Sequence, residues 1–215
     1  MDVSRIRALR GPNLWSRHTA IQAIVRCDGA ETAIADLPGF EARLRERFPE
    51  LGDLIPSDHL DTVSVAHALE FCALGLQAQA GCPVTFARTT ATTDPGVYQV
   101  VVEYSEEAVG RKAFEDAQQL IQAALGTGSF DADKAVADLR ELDEDERLGP
   151  STGSIVEAAV ARGIPYRRLT RGSLVQFGWG SKQRRIQAAE VDSTSAVAES
   201  IGQDKDLTKR LLHAA

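Results

Sequence analysis

Aromatic side chains make up only 6% of the 215 residues, methionine occurs once and cysteine three times. The cysteines, Cys27, Cys72 and Cys82, are odd in number and show no paired spacing. That excludes a disulfide framework and fits the reduced thiols of a cytosolic protein. No run approaches the roughly 18 consecutive apolar residues of a spanning helix. The opening "MDVSRIRALRG" lacks the apolar segment of a secretory signal, so the expected location is cytoplasmic. Cationic residues are also short in number, with 24 Lys/Arg against 31 Asp/Glu and a net charge of −7. The deficit is uneven. Residues 1–150 hold 14 Lys/Arg and 25 Asp/Glu, whereas residues 151–215 hold 10 and 6. So acidic a first part excludes non-specific nucleic-acid binding, which needs clustered cations for the phosphates. The asymmetry itself points to two units.

What remains is enough for a packed core, since 43% of the residues are hydrophobic. Residues 3–10 alternate as a half-buried strand does, and 20–27 are a second strand candidate. "GFEARLRERFP" at 39–49 has Phe40, Leu44 and Phe48 at helical spacing. Residues 59–81 form the longest periodic segment, read as a helix closed by Gly81. In "GVYQVVVEYS", Tyr98, Val100, Val102 and Tyr104 define one apolar strand face. The helix over 105–126 starts at Ser105 as N-cap and ends at Gly126. Residues 131–150 read as an acidic helix and linker, with eight Asp/Glu. This is a solvated face or a surface for guanidinium groups, which carboxylates bind in bidentate fashion. After Pro150 short strands and helices alternate. Ser154 and Glu157 have capping-box spacing, and Trp179 reads as a packing anchor. The last helix leaves Leu211 and Leu212 in need of a partner, so the chain is expected to be a piece of something longer. The expected fold is an α+β domain, with a small mixed or antiparallel sheet, over 1–148. A partial α/β subdomain follows over 149–215.

Two stretches carry candidate chemistry. In "VAHALEFCALGLQ", His67, Glu70 and Phe71 share one helix face. This is H-x-x-E-H, a zinc-peptidase signature, with phenylalanine in its last place. One imidazole cannot hold a catalytic zinc. In "LGPSTGS", residues 148–154, a Gly-Pro turn and hydroxyls precede a helix, which suits a carboxylate or phosphate. With Ser154 used as cap, Ser151 and Thr152 are left for the ligand. "FGWGSKQRRIQ" is not a Walker A loop. Cys72, inside a helix, reads as a small hydrophobe.

"RIRALRGPNLWS", "GCPVTFARTTATTDPGVYQVVVEYSEEAVGR", "LGPSTGSIVEAAVARGIPYRRL", "SLVQFGWGSKQRRIQAAEVDSTSAVAESI" and "DKDLTKRLLHAA" together resemble the N-terminal part of the cyanophycin synthetases. The resemblance runs from about residue 4 to the end. It implies a polymer-gripping N-terminal domain over 1–148 and the truncated beginning of an ATP-grasp region over 149–215. In that family the ATP-grasp part extends a poly-aspartate backbone using ATP and magnesium, and a Mur-ligase-like part adds arginine to the aspartate side chains. Its members are homo-oligomers, commonly tetramers. The ATP- and magnesium-binding parts lie beyond this stretch, so no cofactor and no catalytic residue is expected within it. The implied partners are cyanophycin (multi-L-arginyl-poly-L-aspartate) and the rest of a synthetase chain, with neither nucleic acid nor membrane.

Residue by residue, Ser151 and Thr152 match the family loop that holds the growing chain end. Glu199 stands beside Ser200, the position of a substrate-binding acidic residue in some members. Other members bear a zinc peptidase helix reading "HxxEHxxxE". His67 and Glu70 match it, while Phe71 and Gly75 replace two of its ligands, so the metal position is vestigial and no metal is expected. Two alternatives are a zinc peptidase that trims cyanophycin and a piece of another ATP-grasp amide ligase of the glutathione-synthesising kind.

Overall fold

Alternating residues on two strands, Ile21, Ala23 and Val25 on one and Val100 and Val102 on the other, supply the apolar face of a four-stranded sheet. A computed structural model describes residues 1–53, 63–126, 128–188 and 190–214. The strands are β1 (Asp2–Leu9), β2 (Ala20–Arg26), β3 (Ala87–Ala91) and β4 (Val97–Glu103), in the order β1-β2-β4-β3. All three pairings are antiparallel. Between Ser4 and Arg7 the β1 register shifts, and Arg5 there has φ 52°.

Of four helices, α1 (Phe40–Arg47), α2 (Val65–Ala80), α3 (Glu107–Leu125) and α4 (Ala132–Glu146), α2 and α3 pack on that face, α1 packs against α3, and α4 packs against both α2 and α3. Eleven of the sixteen α2 residues are buried, as befits a helix hydrophobic nearly all round. Residues 59–62 of the helix expected over 59–81 lie outside the described residues, and α2 itself begins at Val65. It ends as expected at Gly81, whose φ of 96° favours glycine. Phe40, Phe48 and Phe114 are fully buried, each contributing roughly 1.5–3 kcal/mol of transfer free energy. The helix after β4 starts differently from expectation. Its N-cap is Glu106, and the Ser105 hydroxyl instead donates to Asp143 Oδ1 of α4 at 3.2 Å. A tertiary contact has displaced a local cap. Asp131 caps α4 by accepting from the Lys134 N–H at 2.9 Å.

The chain divides into two units, Met1–Arg147 and Leu148–Ala215. The second has α5 (Pro150–Val160), β5 (Tyr166–Arg168), β6 (Leu174–Phe177), β7 (Arg184–Gln187), β8 (Glu190–Val191), α6 (Ala196–Gln203) and α7 (Lys205–Ala214). Its strands form an antiparallel meander in chain order. The molecule is therefore a mixed α+β protein with two small antiparallel sheets. The core of the second unit is small, with Val156, Val175 and Ile186 buried and Leu148, Tyr166 and Phe177 packed around them. Trp179 corrects the reading as a packing anchor. It is 52% exposed, at a turn whose flanking Gly178 and Gly180 have φ 66° and 63°. Among the described residues no helix is long and apolar enough to cross a membrane.

Candidate functional site

Ser64 precedes α2 in extended conformation, as an N-cap does. Its main-chain N–H donates to His67 Nδ1 at 3.1 Å, and its hydroxyl oxygen lies 2.8 Å from the same nitrogen. This is a capping box with imidazole in the place usually taken by Glu or Gln. Accepting an N–H requires Nδ1 to be unprotonated, so the neutral ring carries its proton on Nε2. Burial lowers the His67 pKa and favours that neutral form. The Tyr98 ring meets the imidazole edge to face, with centroids 5.7 Å apart.

One turn on, Glu70 is buried, and burial pushes its pKa up to about 7. Hydrogen bonds from the Thr89 side chain and main chain, and the charge of Arg88, pull the other way without cancelling it. Phe71 packs half-buried against the core, and Gly75 is buried within α2. Metal ligation fits this arrangement poorly. A metal-binding imidazole offers one bare nitrogen and donates through the other. Here Nδ1 is occupied by the helix cap and Nε2 bears the proton. The two positions that would add ligands offer a phenyl ring and a hydrogen atom. No group of three or more His, Cys, Asp or Glu that could hold a metal ion occurs among the described residues. Cys72 is fully buried with its thiol pKa raised by burial, the state of a small hydrophobe.

The second candidate lies at the start of α5. Gly149 is the N-cap and Pro150 occupies the first helical turn, where its missing N–H is no loss. The helix thus starts four residues before the Ser154 cap expected from spacing. Ser151, Thr152 and Ser154 all fall inside it. Ser151 is exposed. Thr152 is buried, and its hydroxyl donates to the Ala188 carbonyl at 3.3 Å. Glu199, in the first turn of α6, accepts from Gln203 Nε2 at 2.9 Å. It also meets Glu190, whose pKa is raised by desolvation and then by the charge and hydrogen bonding of Glu199. Glu190 was not singled out in sequence, because its proximity to Glu199 is a tertiary fact. Contacts link two of the predicted residues to the same β7–β8 turn: Thr152 reaches Ala188, two residues before Glu190, and Glu190 reaches Glu199.

Residues 23–126 match the cyanophycin synthase-like N-terminal domain. The match takes in just under half of this chain. The chain is similar over its whole length to cyanophycin synthetases, at 38% identity to those of Trichormus variabilis and Nostoc sp. and 37% to that of Geminocystis herdmanii. The alignments take in all of this chain and 26% of each relative, so the chain spans about a quarter of their length. The matched domain holds β4, α2 and α3 and therefore the whole His67–Glu70–Phe71–Gly75 face. Ser151, Thr152, Glu190 and Glu199 lie outside it, in the part covered by the full-length relatives alone. Ser64 was the legible partner missed in sequence: it stands three residues before His67, the spacing of a capping box.

Proposed function

We propose that this chain is the N-terminal portion of a cyanophycin synthetase, a module that holds the Asp/Arg polymer during ATP-dependent elongation. Similarity along the entire chain carries this reading. By the same resemblance, ATP and magnesium are bound by parts beyond these residues, so the chain alone has no ligase activity. Ser151, helped by Glu199, would hold the growing chain end. A cytoplasmic setting, a homo-oligomer and the remaining synthetase as partner belong to the same proposal. Holding is favoured over cutting by the α2 face, where the helix cap occupies Nδ1 of His67 and Phe71 stands in a ligand's place.

The test is co-sedimentation of the 215-residue chain with insoluble cyanophycin at low and high salt, with a parallel assay for soluble product. Expected are binding that weakens as salt screens the charges and no solubilised polymer. Failure to sediment with the polymer would overturn the proposal, as would stoichiometric zinc accompanied by soluble product.

A further inference from the structure

The β1–β4 sheet has two outer strands, and only one of them is guarded. β1 carries the devices that keep an edge from pairing. Its register shifts between Ser4 and Arg7, Arg5 in that bulge has φ 52°, and Arg5 and Arg7 are both exposed. β3 forms the opposite edge. Its five residues, Ala-Arg-Thr-Thr-Ala, run in unbroken register with residues 98–102 of β4, without proline or bulge.

The ladder decides which main-chain groups of β3 face outward. The Glu103 N–H donates to the Phe86 carbonyl at 2.8 Å, and the Thr92 N–H to the Val97 carbonyl at 2.9 Å. Bonding alternates along an antiparallel pair, so the even-numbered residues over 86–92 turn their N–H and C=O groups to β4. Ala87, Thr89 and Ala91 turn theirs to the open edge. Among the described residues no strand lies beyond it. From α2, the buried carboxylate of Glu70 takes hydrogen bonds from the Thr89 main chain and side chain. The outward groups of Ala87 and Ala91 have no partner among the described residues.

The sequence of β3 suits pairing with itself. When it is set antiparallel to a second copy about a two-fold axis at Thr89, Ala87 meets Ala91, Thr89 meets Thr89, and Arg88 meets Thr90 of the second copy. In this register outward-facing residues oppose one another, as a hydrogen-bonded pair requires. Arg88 meets a hydroxyl, so like charges are not opposed. The remaining pairs are small side chains. A slip of one residue would set outward groups against inward ones. A slip of two toward the strand start would set Arg88 against Arg88.

We propose that two copies of this chain pair β3 to β3 about a two-fold axis at Thr89, joining two four-stranded sheets into one, and that Glu70 sets how tightly they do so. Such an interface is isologous and closes on itself. Glu70 limits the pairing because it already takes the Thr89 N–H, the middle amide of the edge, and a carboxylate has no proton to donate to an incoming strand. The inference names a surface for the homo-oligomer proposed above and does not depend on polymer binding.

The experiment is analytical ultracentrifugation of the 215-residue chain over a concentration series, beside the variants Glu70→Leu, Ala91→Pro and Glu70→Leu/Ala91→Pro. Proline at position 91 removes an outward N–H and leaves the β4 ladder whole. Expected are concentration-dependent dimers of the unaltered chain and dimers about tenfold tighter in Glu70→Leu. Proline should weaken association about tenfold in either background, because each dimer loses two main-chain bonds. Should a variant fail to fold, hydrogen exchange of the unaltered chain decides. The Ala87 and Ala91 amides should gain protection with concentration, and those of Arg88 and Thr90, bonded to β4, should not change. Folded proline variants that associate like their parents overturn the inference and leave the homo-oligomer to another surface. A folded Glu70→Leu chain that associates no more tightly than the unaltered one overturns the role given to Glu70. Protection of Ala87 and Ala91 by added cyanophycin, without dimers, would assign the edge to the main chain of the polymer and overturn the pairing of copies. Monomers at every concentration overturn the inference and the homo-oligomer of this chain together, and polymer binding is unaffected by that result.

Discussion

The main-chain N–H of Ser64 points at Nδ1 of His67 from 3.1 Å, and this one bond fixes where the imidazole keeps its proton. His67 thus serves as the side-chain half of a helix cap. Removing it in His67→Ala should therefore cost the protein about 1 kcal/mol, the usual worth of an N-cap interaction. Denaturant unfolding near pH 8 measures this. The loss should shrink below pH 6.5, because burial holds the folded pKa of His67 below its ordinary value. The unfolded chain then takes up the proton first, and the stability given by the neutral ring fades as pH falls through that range. A ring held as a zinc ligand would behave differently: stability would rise with added zinc, and His67→Ala would abolish the rise.

Glu70 titrates with the opposite sign. Burial raises its pKa from 4.5 to about 7, so the folded state binds the proton more readily than the unfolded state. Its contribution is intact below pH 4.5 and declines as pH rises through 7. At 1.36 kcal/mol per unit, the decline is roughly 3 kcal/mol. Glu70→Gln keeps the shape without the charge. The variant should match the original near pH 4.5 and exceed it by up to about 3 kcal/mol at pH 8. Equal stabilities at pH 8 would mean that Glu70 is solvated or ion-paired after all.

The two α2 residues show what a sequence exposes and what it hides. That His67, Glu70 and Phe71 share a face follows from helical spacing alone. Their partners Tyr98 and Thr89 stand more than 18 residues away, and only the sheet pairing brings them to α2. The strand over 97–103 was readable from its alternating valines. Cap positions were not, because several residues competed for each. Ser105 lost its cap role to a bond with Asp143, and Gly149-Pro150 began α5 ahead of Ser154. Trp179 is exposed because a core of three buried residues has no room to take it in.

Ser151 and Thr152 looked equivalent in the sequence, yet the structure separates them. Thr152 is buried and bonded to the Ala188 carbonyl, whereas Ser151 faces solvent. Thr152→Val removes the hydroxyl at nearly constant volume and with it the bond to the Ala188 carbonyl. A loss of about 1 kcal/mol in the second unit is expected. Ser151→Ala should leave stability within about 0.5 kcal/mol, as for surface changes generally. Thermal melts of the two variants test the contrast. Equal losses would place Ser151 inside the fold rather than at a ligand.

Glycine in a helix interior normally invites improvement, since alanine is favoured there by about 1 kcal/mol. Gly202 in α6 fits that rule, because an added Cβ would meet nothing within 4 Å. Gly110 in α3 opposes it. A Cβ there would lie 2.5 Å from Tyr104 Cβ and 3.3 Å from Ile21 Cγ1, so α3 can approach the sheet this closely only without a side chain. Overpacking a core costs about 1–3 kcal/mol, which exceeds the helical gain. Gly110→Ala should therefore lower the melting temperature and Gly202→Ala raise it. The pair is informative because propensity alone gives both the same sign. Stabilisation of both would show that α3 can shift off the sheet at little cost, and the close α3–β2 approach would then not be what holds that layer in place.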